Sequence, residues 1–320
     1  MDIKTRFYVV SDTHGKDLIT PTFPVDVAIH CGDLTDESKI DEFRLSVDML
    51  KSINAPLKLV IAGNHDFTLD TPLYQKKAAQ AISASSIEPE LIKKEYGDFG
   101  EARQLFSESD NILFLDEGVH HCPLQNGANL TVYASPYTPS LGDGGFQFNR
   151  EDGHKYAINN NVDVVITHGP PRGVLDLARY KRGGCEYLFA AVARARSRLH
   201  CFGHIHEGWG AKLVAWRGGE ATEFPSHFTD IDNGSSTLVE SLATLHPGRL
   251  DTGWTAGDKK REFERLVRQG YTGTSHCADD QAPLISGRHT LFVNAAVESL
   301  ENDGIQLPWI VVIDLPRATN

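Results

Sequence analysis

Five short blocks of this chain collect aspartate, asparagine and histidine: Ser11-Asp12-Thr13-His14, Cys31-Gly32-Asp33, Gly63-Asn64-His65-Asp66, His168-Gly169-Pro170-Pro171 and Gly203-His204-Ile205-His206. Imidazole, carboxylate and amide oxygen in one set suit Mn, Fe, Zn or a similar divalent ion. An all-oxygen set would suit Mg or Ca, and thiolates a structural zinc. Asp12, His14, Asp33, Asn64, His168, His204 and His206 make more candidates than one tetrahedral ion needs. With one carboxylate shared, they would serve two ions about 3.5–4 Å apart, the spacing used in phosphoryl chemistry. Taken singly, each block has a plainer explanation. Gly-Asn is a common turn pair, and alternate histidines on a strand can be surface residues. The order and placement of all five favour the metal reading.

The placement comes from the elements in front of the blocks. Short runs rich in Val, Ile and Phe precede all five: Arg6–Val10, Asp26–His30, Leu57–Ala62, Val162–Thr167 and Leu199–Phe202, with a sixth run at Leu130–Ala134. Runs of this length read as buried strands. Between them, Ser38–Ile53, Gln75–Glu95, Glu101–Glu108 and Cys185–Arg196 show helical spacing. The alternation predicts an α/β layered fold, in which ligands gather at the carboxyl ends of strands. The last third changes character. Segment 225–288 is rich in Gly, Ser, Thr and Asp, with one clear helix expected at Asp258–Gln269. It reads as a loop-rich insertion in a main domain made of 1–224 and 289–320, which closes with strands at Thr290–Ala295 and Trp309–Leu315.

Composition bounds the partners. The 320 residues hold 31 Lys and Arg against 43 Asp and Glu, a formal net charge of −12. That balance argues against a nucleic-acid polymer, since phosphate neutralisation needs a basic surface, and against an anionic membrane. No apolar run approaches the ~20 residues of a membrane helix. The start MDIKTRFYVVSDTHG has no signal-peptide layout, so a cytoplasmic location is expected. Five widely spaced cysteines with no C-x-x-C agree with a reduced compartment. The sequence names no protein partner.

In this order, the blocks resemble the calcineurin-like metallophosphoesterase superfamily, whose signature runs D-x-H, G-D, G-N-H-[DE], a lone H and G-H-x-H. The stretches SDTHG, HCGDLT, VIAGNHDFTLD, YASPYTP, THGPPRGVLD, FGHIHEGWG and FVNAA are similar to its branch of metallophosphoesterase-domain (MPPED) proteins. The resemblance covers roughly Arg6 to Trp216 and Thr290 to Leu315, and leaves out 225–288. It implies two mixed β-sheets packed as a sandwich with helices outside. It also implies one ion held by Asp12, His14 and His206, with Asp33 bridging to a second ion held by Asn64, His168 and His204. The ions would be Mn, Fe or Zn, with Mn favoured as the activating ion. His65 would sit above the ions as a catalytic residue, protonating or stabilising the leaving oxygen. Asp66 is read as its catalytic neighbour, orienting His65 or holding the loop. The implied function is a dinuclear metal-dependent phosphoester hydrolase acting by in-line attack of a metal-bridging hydroxide. A phosphodiesterase on small substrates such as cyclic nucleotides is expected first, and a phosphomonoesterase is the alternative. A non-catalytic scaffold ranks lower, because all seven ligand candidates and His65 are present.

Other residues have ordinary roles by expectation. His30, His200, His120 and His121 read as structural or surface histidines, Cys31 and Cys201 as packing beneath the site, and Tyr137 as either pocket wall or core. The segment Arg172–Arg198 carries seven basic residues against Asp176 and Glu186, a local charge of +5. Arg194, Arg196 and Arg198 suit a helix end, where cations are favoured. Arg172, four residues past His168, is the candidate for contacting a substrate phosphate.

Overall fold

The computed structural model describes residues 2–18, 20–85, 87–108, 111–299 and 306–318. Along the chain run β1 (Ile3–Val10), β2 (Val27–His30), α1 (Ile40–Ser52), β3 (Leu57–Val60), α2 (Thr71–Ser85), α3 (Pro89–Tyr96), α4 (Glu101–Ser107), β4 (Ile112–Phe114), β5 (Gly118–Pro123) and β6 (Asn129–Ser135). The short pair β7 (Thr138–Pro139) and β8 (Gln147–Phe148) precedes β9 (Val164–Thr167), and the ribbon β10 (Leu177–Ala178) and β11 (Lys181–Arg182) precedes α5 (Glu186–Ala195). Then come β12 (Leu199–Phe202), β13 (Gly210–Trp216), β14 (Ile231–Ser241), α6 (Leu242–Leu245), α7 (Gly253–Gln269), β15 (Thr272–Ser275), β16 (His289–Asn294) and β17 (Trp309–Leu315).

Two mixed sheets dominate, ordered β15-β17-β1-β2-β3-β4 and β14-β13-β16-β12-β9-β6-β5. Side-chain alternation along the strands sets the layers. Phe7, Val9, Ile29 and Leu59 of the first sheet share one core with Val132, Ile166, Cys201 and Leu291 of the second. Tyr8, Val10, Ala28 and Val60, facing the other way, pack on Phe43, Val47 and Leu50 of α1. Val165, Phe202, Val214 and Phe292 pack on Leu188, Phe189 and Val192 of α5. The order of layers is helix, sheet, sheet, helix, the sandwich that the sequence resemblance implied.

Two expectations change. The single helix at Gln75–Glu95 is two, α2 and α3, with position 86 outside the described residues. Pro89 occupies the first turn of α3, and Glu88 before it is extended at φ −67°, ψ 134°. A residue preceding proline is pushed out of the helical region, which explains the break. Segment 225–288 is also more ordered than a loop-rich insertion. β14 pairs antiparallel with β13 at one sheet's edge, and β15 pairs parallel with β17 at the edge of the other. Between them lies the 17-residue α7, which begins five residues before the expected helix start. β14 reads IDNGSSTLVES, and only its first residue, Ile231, is buried; the rest are partly or largely exposed. An edge strand paired on one side needs no hydrophobic alternation, so its pattern does not announce it.

Candidate metal centre

The parallel strands β1, β2 and β3 of one sheet, and β9 and β12 of the other, deliver the five blocks at their carboxyl ends. The turns that follow are tight. Asp12, His14, Asp33 and His204 all hold positive φ, at 57°, 47°, 52° and 67°. Such left-handed non-glycine positions cost energy and persist where the surroundings hold them; they cluster at functional sites. Gly63 and Gly203 are required beside them. A Cβ on Gly63 would run into the Asp33 carboxylate, and one on Gly203 into that of Asp12.

The structure brings the seven candidates together as two groups. Asp12, His14 and His206 offer ligand atoms within 4.8 Å of one another, as do Asp33, His168 and His204. Asn64 joins the second group, its Oδ1 3.0 Å from His168 Nε2. Asp12 and His168 are fully buried, and Asp33 and His14 nearly so. The buried imidazoles are oriented from behind. His168 Nδ1 donates to the Cys31 carbonyl at 3.0 Å and His14 Nδ1 to the Thr35 carbonyl at 3.1 Å. That fixes the tautomer and turns each Nε2 toward the centre. His14 Nε2 is buried and makes no hydrogen bond among the described residues, although Glu298 Oε2 lies 3.2 Å away. Both carboxylates are also braced: Asp12 accepts from the His204 amide at 3.0 Å, and Asp33 from the His65 amide at 2.8 Å.

The electrostatics follow from burial against pairing. Burial opposes the charged form of Asp12, but the His206 hydrogen bond and the nearby His168, His206 and His14 rings hold its carboxyl well below the usual range. Burial likewise opposes a charge on His168, but Asp33, 3.1 Å away, outweighs it and raises this imidazole to about 9. Burial, with the His168 charge beside it, pushes His204 down to about 4. Divalent ions compete with these protons, because a ligating imidazole must be neutral.

His65 stands at the mouth, its side chain 39% exposed and its ring centroid 4.7 Å from that of His14. Its Nδ1 donates to the Asp36 carbonyl at 2.6 Å. Asp66 is fully buried, and among the described residues its carboxylate makes no hydrogen bond to the His65 ring. Its carboxylate accepts from the amides of Gly63, Leu34 and Thr35 and from the Thr35 hydroxyl, at 2.7–3.1 Å. Of the two roles expected for Asp66, these bonds are those of a loop tie. Burial and the neighbouring Asp33 charge push it up to about 6 against those four donors.

Arg172 lies elsewhere. It lines a cavity between α5 and residues 224–228, and none of the seven metal candidates lines that cavity. Arg196 is more than a solvated helix end. It is the left-handed C-cap of α5, and its guanidinium reaches the Arg217 and Gly287 carbonyls. His30 and His200 are fully buried and hydrogen-bonded to Thr13 and Thr167. His120 and His121 lie on β5 and bond to the Asp116 carbonyl and the Thr131 hydroxyl. Cys31 and Cys201 pack in the core between the sheets. The Tyr137 ring stacks on His154 at 4.7 Å.

Three neighbours of the centre escaped the sequence reading. Asn294 is fully buried and donates to the Ile205 carbonyl at 2.9 Å and the Leu175 carbonyl at 3.2 Å, bracing the turn that carries His204 and His206. It is the asparagine of FVNAA, so the motif marked it without giving its role. Asp36 forms a third close group with His14 and His65. Glu298 Oε2 lies 3.6 Å from His206 Nδ1, and its Oε1 accepts from Lys16 at 2.9 Å. Nothing in the local pattern around Glu298 places it beside residues nearly 300 positions earlier.

Comparison with known proteins gives the family. Residues 5–208 match the family model described as calcineurin-like phosphoesterase. The chain is 36% identical over 219 residues to the metallophosphoesterase domain-containing protein 1 of Homo sapiens, covering 64% of this chain and 62% of that protein. It is 33% identical over 219 residues to the probable rhamnogalacturonate lyase C of Emericella nidulans, but the match spans 67% of this chain and only 18% of that protein. A solved structure described as a phosphopantetheinyl hydrolase from Mycobacterium tuberculosis aligns over 69% of this chain and 88% of its own, at 16% identity and a TM-score of 0.40.

Proposed function

The chain belongs to the calcineurin-like phosphoesterase family, and from that premise we propose that it hydrolyses small phosphoesters with two divalent ions, phosphodiesters such as cyclic nucleotides ahead of monoesters. The observation that carries this reading is the pair of ligand groups, Asp12–His14–His206 and Asp33–His168–His204, each with two buried members and one partly buried histidine. The residues fit such ions. The donor set is mixed nitrogen and oxygen, as Mn, Fe and Zn prefer. The buried Nε2 of His14 makes no hydrogen bond among the described residues and faces the Glu298 carboxylate at 3.2 Å, and carbonyls behind His14 and His168 fix both rings. Asp12, His14 and His206 would hold one ion and Asn64, His168 and His204 the other, with Asp33 shared. Bound there, the ions would lower the pKa of a water molecule and draw charge from phosphoryl oxygens.

The other tasks fall to side chains. Burial opposes a charge on His65, yet the Asp33 charge, the Asp36 carbonyl and the Asp66 and Asp36 carboxylates together raise it. A partly exposed imidazole whose neighbours favour its protonated form can give that proton to a leaving oxygen. With Nδ1 committed to the Asp36 carbonyl, the proton given is that on Nε2. Asp66 serves by position, holding the loop that carries Asn64 and His65 against the loop that carries Asp33. All five cysteines are free and buried, which supports a reducing compartment such as the cytoplasm. Among the described residues, no helix is long and apolar enough to cross a membrane.

The test is a panel of bis-p-nitrophenyl phosphate, p-nitrophenyl phosphate and cyclic nucleotides with added Mn²⁺, beside metal analysis of the purified protein. Two ions per chain and faster turnover of diesters are expected. Preference for the monoester would reverse the substrate order. No bound metal and no turnover with any divalent ion would leave a scaffold instead of an enzyme.

A further inference from the structure

Behind the loop that carries His168, the outer side of α5 opens on a cavity of about 670 Å³. Its size is that of a small-molecule site, and seven of its fifteen lining residues carry aromatic rings, two of them imidazoles. Phe189 is buried in its floor, whereas Phe224 and Phe228 at its rim are 82% and 74% exposed. The His227 ring lies 3.9 Å from that of Phe228, and its buried Nε2 has no hydrogen-bond partner among the described residues. Large aromatic faces left open beside a concavity mark a binding surface more often than chance exposure does.

The charge of the lining is opposite to that of the chain. Lys155, Arg172 and Arg194 face only Glu186, in a protein of net charge −12. Arg194 already donates to the Glu223 carbonyl at 3.2 Å. Arg172 is different: its amide donates to the Cys185 carbonyl at 2.9 Å, but its guanidinium has no hydrogen bond or ion pair among the described residues. A guanidinium without a partner is a ready fork for a carboxylate, sulfonate or phosphate. Flat aromatic walls favour a ring that can stack or meet them edge-on. A neutral apolar ligand would leave Arg172 and the His227 nitrogen unmatched, and a bare inorganic anion would leave the walls wet.

We propose that this cavity is a second binding site, separate from the metal centre, for a small molecule that joins a planar aromatic ring to an anionic group. Arg172 pairs with the anion, and Phe189, His227 and Phe228 enclose the ring. The 168–172 loop links the site to the metal centre, with His168 at one end and Arg172 at the other.

The experiment titrates full-length protein with 1-anilinonaphthalene-8-sulfonate and reads its fluorescence. One probe per chain is expected, with the same affinity before and after metal is stripped with EDTA. The uncharged analogue N-phenyl-1-naphthylamine should bind at least about tenfold more weakly. Arg172→Glu, which reverses the cation, and Ala190→Trp, which fills the cavity from α5, should each weaken the probe by about tenfold or more with unchanged circular dichroism. Two variants guard against a folding defect in either. Affinities within about twofold of wild type in both, or binding that disappears with the metals, would overturn the proposal.

Discussion

At the scale of the residue, His65 and Gly203 make the sharpest tests. His65 has one ring nitrogen tied to the Asp36 carbonyl and the other available to substrate. If it donates the leaving-group proton, His65→Ala should lower kcat by about 10²–10⁴ on an ester with an alkoxide leaving group. The loss should shrink to roughly tenfold or less with p-nitrophenolate, which leaves without a proton. Equal losses on both substrates would remove the proton-donor role. Gly203 tests the ligand geometry. An added methyl would overlap the Asp12 carboxylate and the Ser11 hydroxyl, in a turn whose next residue is held at φ 67°. Gly203→Ala should bind fewer than two ions per chain by elemental analysis. A full complement at wild-type affinity would count against the assignment of Asp12.

At the scale of the element, the site is a problem of aligning strand ends. The loop after β3 carries Asn64 and His65 and the loop after β2 carries Asp33; Asp66 joins them through three hydrogen bonds from Leu34 and Thr35 and ties its own loop with a fourth from Gly63. Asp66→Asn keeps the shape but replaces one acceptor oxygen with a donor, which leaves one set of buried amides unmatched. Chemical denaturation should show a loss of about 1–3 kcal/mol, the cost of unsatisfied buried donors. Unchanged stability would mean that the tie is dispensable. The elements also show the limits of pattern. Strands β1, β2, β3, β9 and β12 were legible because burial on both faces leaves nearly continuous apolar runs. β14 and β15 were not. Each is held at a sheet edge by one neighbour, so its main-chain pairing constrains it more than its side chains do.

At the scale of the whole molecule, buried neutral histidines tie stability to pH. His200 is fully buried, and its Nε2 donates to Thr167 while its Nδ1 has no hydrogen-bond partner among the described residues. Burial holds it down to about 3; the usual value is about 6.5. Between those limits the unfolded chain binds a proton that the folded chain refuses, so stability falls as pH drops from about 6.5 toward 3. His30, buried and held down to about 3, acts in the same direction. The slope contributed by each is at most about 1.4 kcal/mol per pH unit. His200→Gln, which cannot titrate, should flatten the dependence by up to that amount in denaturation series between pH 7 and 4. An unchanged slope would show that His200 is not the proton acceptor. The net charge of −12 coexists with a cationic cavity, so the surface average describes neither the metal centre nor the face of α5.

The sequence by itself determined the chemistry of the centre and its place at strand ends. Five strand-like runs, each passing into Asp, Asn or His, are local patterns, and local patterns are what burial and turn geometry impose on a chain. Two things were decided by tertiary structure. Asp66 proved to be a tie between loops because its four donors come mostly from residues about 30 positions away, whose approach depends on the parallel pairing of β2 and β3. Arg172 turned toward the aromatic cavity because it follows Pro170 and Pro171 into a loop whose main chain is bonded to Cys185 at the start of α5. Proximity in sequence to His168 could not show this. The direction of a side chain beyond a strand end is set by what the next element packs against.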